Sequence, residues 1–275
     1  MHKRRLIIIW GLSMWAGTQS YQKAHADESD GSFSGVSFSF TADHPDFDVP
    51  ACDSSYGNVI GLQGDRPVYG GEGHKANVPW ARILESSGFM PLAPNLYGTA
   101  TQSCGPVTEQ KGEAGDEDGG SVESAQTFSQ WFRSSLGVNQ TWPLTLVDTD
   151  PIEGQWTVGD DNYRPAGVQG DLYTVALYAD FIYKACSEQE FELVFSGDTW
   201  AFIGETLVVD LGGTNHLDAW QSIRLDELEL DDGETYRLRI FLAHRTSGTP
   251  ASLAIKTKGM TMVPVRPITL GGGFD

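Results

Sequence analysis

The chain has 275 residues, 40% of them hydrophobic and 11% aromatic, which is enough for one large β domain or two small ones. Its 18 Lys and Arg stand against 37 Asp and Glu, a formal charge of −19 at neutral pH. A field of that sign repels phosphate backbones and anionic lipid, so nucleic acid is excluded as an expected partner, whereas Ca²⁺ would be attracted.

Residues 1–26 have the pattern of a secretory signal. Lys3, Arg4 and Arg5 form the basic start, Leu6 to Gly17 the apolar core, and Ala24-His25-Ala26 the small-x-small cleavage site. The segment is too short and wrongly flanked for a spanning helix, and no later stretch approaches 18 apolar residues. The expectation is a chain exported from the cytoplasm, secreted or at the cell surface. Without the signal, 14 basic residues remain against 37 acids, a formal −23. Of three cysteines, Cys52 and Cys104 could pair in an oxidising compartment, closing a loop of about fifty residues for roughly 4 kcal/mol. Cys186 is then expected as a buried thiol.

In chain order, Ser32 to Phe40 alternates apolar and small residues and reads as a half-buried strand. A Pro-centred turn follows at Asp43 to Phe47, then a loop-rich stretch holding the short apolar pieces Val59–Leu62 and Arg66–Tyr69. Residues 74–107 are rich in Pro and Gly and show no helical period. Residues 108–123 (TEQKGEAGDEDGGSVE) form a low-complexity acidic segment that buries nothing and is expected to be mobile. Thr127 to Val138 is the one predicted helix, capped by Ser124 or Thr127, with Phe128, Trp131 and Phe132 on one face. Trp142 to Asp148 reads as a strand, and 149–170 as a loop containing the acidic pair Asp160-Asp161, which could serve as a cation site.

From residue 172 on, strand follows strand: 172–183, 190–196, 199–203, 206–211, 221–226, 235–244 and 251–258. Phe191–Phe195, Thr199–Ile203 and Leu207–Leu211, separated by Gly197-Asp198 and Gly204-Glu205, read as successive hairpins. Asp210, Asn215 and His216 gather just after the last of them. Such tips are where a β scaffold displays chemistry. Closely spaced strands with little helix predict an all-β antiparallel sandwich or barrel with one short helix and long loops. A single domain is expected over 27–262, with a Pro- and Gly-rich tail over 263–275. No nucleophile elbow, metalloprotease motif, P-loop or dinucleotide fingerprint occurs. The chain is therefore expected not to be an enzyme, the alternative being a polysaccharide hydrolase whose carboxylate pair is visible only in space.

Five stretches in order resemble the bacterial fibro-slime domain, a relative of the PA14 β-sandwich. They are His44-Pro45-Asp46-Phe47, Gly64 to Tyr69, Phe128 to Arg133 with Gly137-Val138-Asn139, Phe195 to Ile203 with Leu207 to Gly213, and Thr235-Tyr236-Arg237-Leu238 to His244-Arg245. Together they span about residues 33 to 258. The resemblance implies a PA14-like sandwich, secreted or at the surface, with no activity assigned to the domain. PA14 relatives often bind sugars through Ca²⁺ held by adjacent Asp residues. Here the corresponding stretch, Gly197-Asp198-Thr199-Trp200, is two residues shorter than the family pattern and keeps one acid. The candidate Ca²⁺ ligands are Asp198, Asp210 and Asn215. His216 joins them as a candidate ligand-binding residue, and Trp156 and Trp220, in polar surroundings, are the expected exposed platforms for sugar rings. The expected role is adhesion or carbohydrate binding, with glycans or extracellular-matrix components as partners. The alternative is a structural matrix component that binds other proteins.

Overall fold

The computed structural model describes residues 32–49, 59–70, 122–148, 155–214, 220–248 and 251–263. The predicted signal, Cys52, Cys104, residues 108–121 of the acidic segment, Asn215, His216 and residues 264–275 lie outside the described residues.

The described chain is nearly all β. Its strands are β1 (Phe33–Ser39), β2 (Val59–Gln63), β3 (Arg66–Tyr69), β4 (Gln140–Leu146), β5 (Gln155–Tyr163), β6 (Tyr173–Ile182), β7 (Glu190–Phe195), β8 (Asp198–Ile203), β9 (Thr206–Leu211), β10 (Trp220–Arg224), β11 (Thr235–His244), β12 (Ala251–Lys258) and β13 (Thr261–Val263). One helix, α1 (Ala125–Phe128), lies between β3 and β4. Seven strands form one sheet in the order β4-β1-β6-β11-β8-β9, with β13 also on β6, and four form the second in the order β10-β7-β12-β5. The hairpin β2-β3 stands apart. The ladders within these sheets are antiparallel.

The two large sheets face each other over a core of alternate residues. Val175, Leu177, Ala179 and Phe181 of β6 meet Phe191, Leu193 and Phe195 of β7 and Leu253 and Ile255 of β12 in one cluster. The in-between residues of the seven-stranded sheet are also buried. Ala176 and Tyr178 of β6, Trp200 and Phe202 of β8 and Phe241 of β11 pack beneath Phe47, Phe128, Trp131 and Phe132. That sheet is therefore covered on both faces, which is why β6, β8 and β11 read as continuous apolar runs. The molecule has a third layer over the sandwich, built from the turn at 40–49, α1 with the turns after it, and the β2-β3 hairpin.

Three sequence expectations are corrected. The helix predicted over 127–138 is one turn long. Ser124 and Thr127 form a reciprocal capping box that starts it at Ala125. It stops because Asn139 folds back, donating from Nδ2 to Gln130 O (3.0 Å) and Arg133 O (2.9 Å) while accepting from Ser135 N (3.1 Å). Residues 155–163, expected as loop, are β5 at the edge of the four-stranded sheet. Trp156, Val158 and Tyr163 are its buried residues, and the exposed run Gly159 to Asn162 between them breaks the strand pattern. Finally, Gly197-Asp198 is no hairpin turn, since β7 belongs to one sheet and β8 to the other. The chain crosses between layers at Gly197, which has a φ of 149°, and a Cβ there would lie 2.4 Å from Ala243 O.

Candidate functional site

Asp198 does not sit at an open tip. It opens β8 on the outward face of the seven-stranded sheet and is fully buried. Its Oδ2 accepts from Arg245 Nε at 2.7 Å, and its Oδ1 accepts from Gly213 N at 2.7 Å and Arg245 Nη2 at 3.4 Å. Arg245, also buried, donates from Nη1 to Asp46 O at 3.1 Å and lies 4.9 Å over the Trp131 ring. Asp46 completes the network by accepting from Trp131 Nε1 (2.8 Å), Glu123 N (2.7 Å) and Thr127 Oγ1 (3.2 Å). These bonds bind the 40–49 turn, α1 and the sheet together.

Asp210, opposite Trp200 on β9, is buried on the same face. Asn215 and His216 follow it outside the described residues. Asp198, as placed, does not fit a Ca²⁺ site. The cation needs six to eight oxygens at about 2.3–2.6 Å, and a guanidinium already neutralises Asp198. Among the described residues no group of three His, Cys, Asp or Glu is placed to hold a metal. Asp160 and Asp161 stand exposed on β5, where the Asp160 carboxylate accepts from Asn162 N at 2.9 Å.

Trp156 is no exposed platform. Its strand turns it inward, and its ring packs 4.7 Å from Phe33 between the sheets. Trp220 opens β10 opposite Val194. Cys186, expected as buried, is an exposed free thiol in the turn between β6 and β7.

A concave site does form elsewhere, on the third layer. A cavity of about 680 Å³ opens between the β2-β3 hairpin and α1, lined on one side by Gln63 to Tyr69 and on the other by Ala125, Phe128, Ser129, Phe132 and Arg133. Arg239 of β11 also lines it. The hairpin turn at Gly64-Asp65 is anchored to that arginine: Asp65 Oδ1 accepts from Arg239 Nε at 2.8 Å, and Gly204 O accepts from Nη1 at 2.9 Å. From the hairpin wall, the Tyr69 ring packs 5.3 Å from Phe128 on the α1 wall. The site thus combines aromatic faces, a partly buried ion pair and exposed polar groups, the usual make-up of a small-ligand site.

Sequence reasoning missed this cavity, although it singled out both walls. Gly64 to Tyr69 and Phe128 to Arg133 are two of the five stretches that carry the resemblance, about sixty residues apart in the chain. Their motif character was the only sequence signal. That they face one another emerges from folding.

Comparison with known proteins gives similarity over part of the chain. It is 30% identical over 165 residues to protein psiQ of Dictyostelium discoideum, covering 51% of this chain and 16% of that protein. To protein psiR of the same organism it is 27% identical over 184 residues, 59% of this chain and 18% of psiR. To psiH it is 28% identical over 158 residues, 50% of this chain and 22% of psiH. The chain therefore matches about a fifth of the length of these curated relatives. No family model matches. Solved structures overlap it in part: an anti-sigma factor domain-containing protein from Clostridium clariflavum (TM-score 0.32, 16% identity, 47% of this chain and 44% of that one) and a β-glucosidase from Kluyveromyces marxianus in complex with glucose (TM-score 0.24, 18% identity, 32% and 10%). At such scores neither bears on function.

Proposed function

We propose that this chain is an exported, non-catalytic β-sandwich module that binds saccharide and serves adhesion or matrix attachment, with the cavity between β2-β3 and α1 as its binding site. The observation that carries this reading is the make-up of that cavity: a partly buried Tyr69 ring, flanking polar groups and a volume of about 680 Å³, suited to one or two sugar rings. Sugar recognition needs apolar ring faces and donors fixed at the rim, and Tyr69 with Gln63, Arg66 and Arg133 offers both. The export signal and the resemblance to the fibro-slime domain support the same role. The Asp198–Arg245 pair makes binding independent of Ca²⁺ in this reading, because the position a cation would fill belongs to a guanidinium.

A glycan array probed with the exported chain, with and without chelator, tests it. Saccharide is expected to bind equally in both conditions, and Tyr69→Ala should weaken it about tenfold, the ~1.4 kcal/mol of one aromatic contact. Capture of extracellular proteins with no saccharide retained would replace this reading by that of a structural matrix component. Release of reducing ends from a polysaccharide would make the chain a hydrolase.

A further inference from the structure

The charge of the cavity runs against that of the chain. Among the described residues, its lining holds Arg66, Arg133 and Arg239 with Asp65 as the single acid, a formal +2 on a molecule of −19. The three guanidiniums are not equivalent. Arg239 is committed to Asp65 and to Gly204 O, which fixes it as part of the scaffold. Arg133 is exposed, and its side chain makes no ion pair or hydrogen bond among the described residues. Its backbone is nevertheless held, since Arg133 O accepts from Asn139 Nδ2 at 2.9 Å and from the Ser135 hydroxyl at 3.4 Å. A guanidinium without an internal carboxylate, on a fixed stem at the rim of a concave site, is placed to take an anion from solution.

We infer that the saccharide taken by this cavity is anionic: a uronate-bearing chain whose carboxylate meets the Arg133 guanidinium while a neighbouring ring lies on Tyr69. The inference rests on the saccharide reading above and specifies its ligand class. Arg supplies two parallel N–H donors matched to the two oxygens of a planar carboxylate, which a neutral sugar does not present. The local field matters as well. A molecule of this net charge repels polyanions at long range, so uronate binding depends on the local +2 and weakens as salt screens it.

The test compares oligogalacturonate with its methyl ester, which keeps the sugar ring and removes the charge, by titration calorimetry on the full chain. Oligogalacturonate is expected to bind at least about tenfold tighter than the ester, the scale of one charge-assisted contact. Arg133→Gln should abolish that preference, costing oligogalacturonate affinity at least about tenfold more than ester affinity, with Arg133→Lys intermediate because charge is kept and the fork lost. Arg224→Gln, an exposed arginine paired with Glu227 on β10, serves as the charge control and should change neither affinity. Arg133 is exposed, so its variants should keep the parent melting temperature, which is measured alongside. Equal binding of acid and ester, or a preference for sulfated over carboxylated chains, overturns the uronate assignment and leaves the saccharide reading standing. Binding of no saccharide, charged or neutral, overturns both.

Discussion

The fate of Asp198 shows how one residue type answers two chemistries. An acid in a Gly-Asp turn is equally a metal ligand and a backbone anchor until its neighbours are known. Here the neighbour is Arg245, 47 residues away in sequence and 2.7 Å away in space. Buried charges persist only when paired and hydrogen-bonded, and breaking such a pair leaves the survivor uncompensated. Asp198→Ala is therefore expected to destabilise the fold by about 3–5 kcal/mol in a urea titration, because it strands a buried guanidinium. A stability change below about 1 kcal/mol would show that Arg245 has another route to solvent or charge. Loss of sugar binding in this variant would report lost structure and carries no information on a metal.

At the scale of elements, α1 is short and depends on its cap. Four residues are too few to hold a helix by propagation alone. Ser124 accepts from Thr127 N at 3.1 Å, and the Thr127 hydroxyl accepts from Ser124 N at 3.1 Å. Asp46 then takes the Thr127 hydroxyl and the Trp131 indole N–H, so the 40–49 turn clamps the helix and the turn after it. Ser124→Ala should cost about 1 kcal/mol of stability and speed amide exchange at Phe128, whose N–H closes the first helical turn onto Ser124 O. Unchanged exchange at that amide would mean that packing of Phe128 and Trp131 alone holds the turn. The β2-β3 hairpin is held differently, by Asp65 reaching Arg239 on the sheet. The hairpin wall is thus tied to the seven-stranded sheet by one carboxylate, and the α1 wall to the 40–49 turn by another.

Over the whole molecule, buried titratable groups set opposing pH dependences. Burial pushes the Glu192 carboxyl up to about 7, partly offset by Lys256 across the strand. Neither of its oxygens finds a hydrogen bond among the described residues. Because its folded value lies above its unfolded 4.5, its contribution is fully present below 4.5 and lost as pH rises through about 7. Burial lowers His44 and His244, so they contribute fully above the ordinary 6.5 and lose stability as pH falls below it. Glu192→Gln should then raise stability at pH 8 by on the order of 2 kcal/mol, the shift discounted for partial solvation, and leave it unchanged near pH 4. Thermal melts across that range check it, and a parallel offset at all pH values would assign the effect to packing.

The sandwich itself was readable from sequence because its information is local and periodic. The strands around Leu177, Val194, Trp200 and Phe241 announce themselves through apolar runs, and Gly197, Gly204 and Asp231-Asp232-Gly233 mark where they end. The edge strand β5 escaped because an edge keeps few residues inside, and the predicted helix shrank because Asn139 competes for its carbonyls. Site residues were harder for a different reason. Whether Asp198 meets a cation or Arg245, and whether Trp156 faces solvent or Phe33, depends on the crossing between sheets at Gly197 and on the inward turn of an edge strand. The sequence by itself determined an acidic, strand-rich chain with five ordered motifs and the pattern expected of an export signal. Only the tertiary structure decided that two of those motifs face each other across a cavity of opposite charge. Strand periodicity is written in neighbours two residues apart, whereas a cavity is made by segments whose proximity is created by the packing of layers.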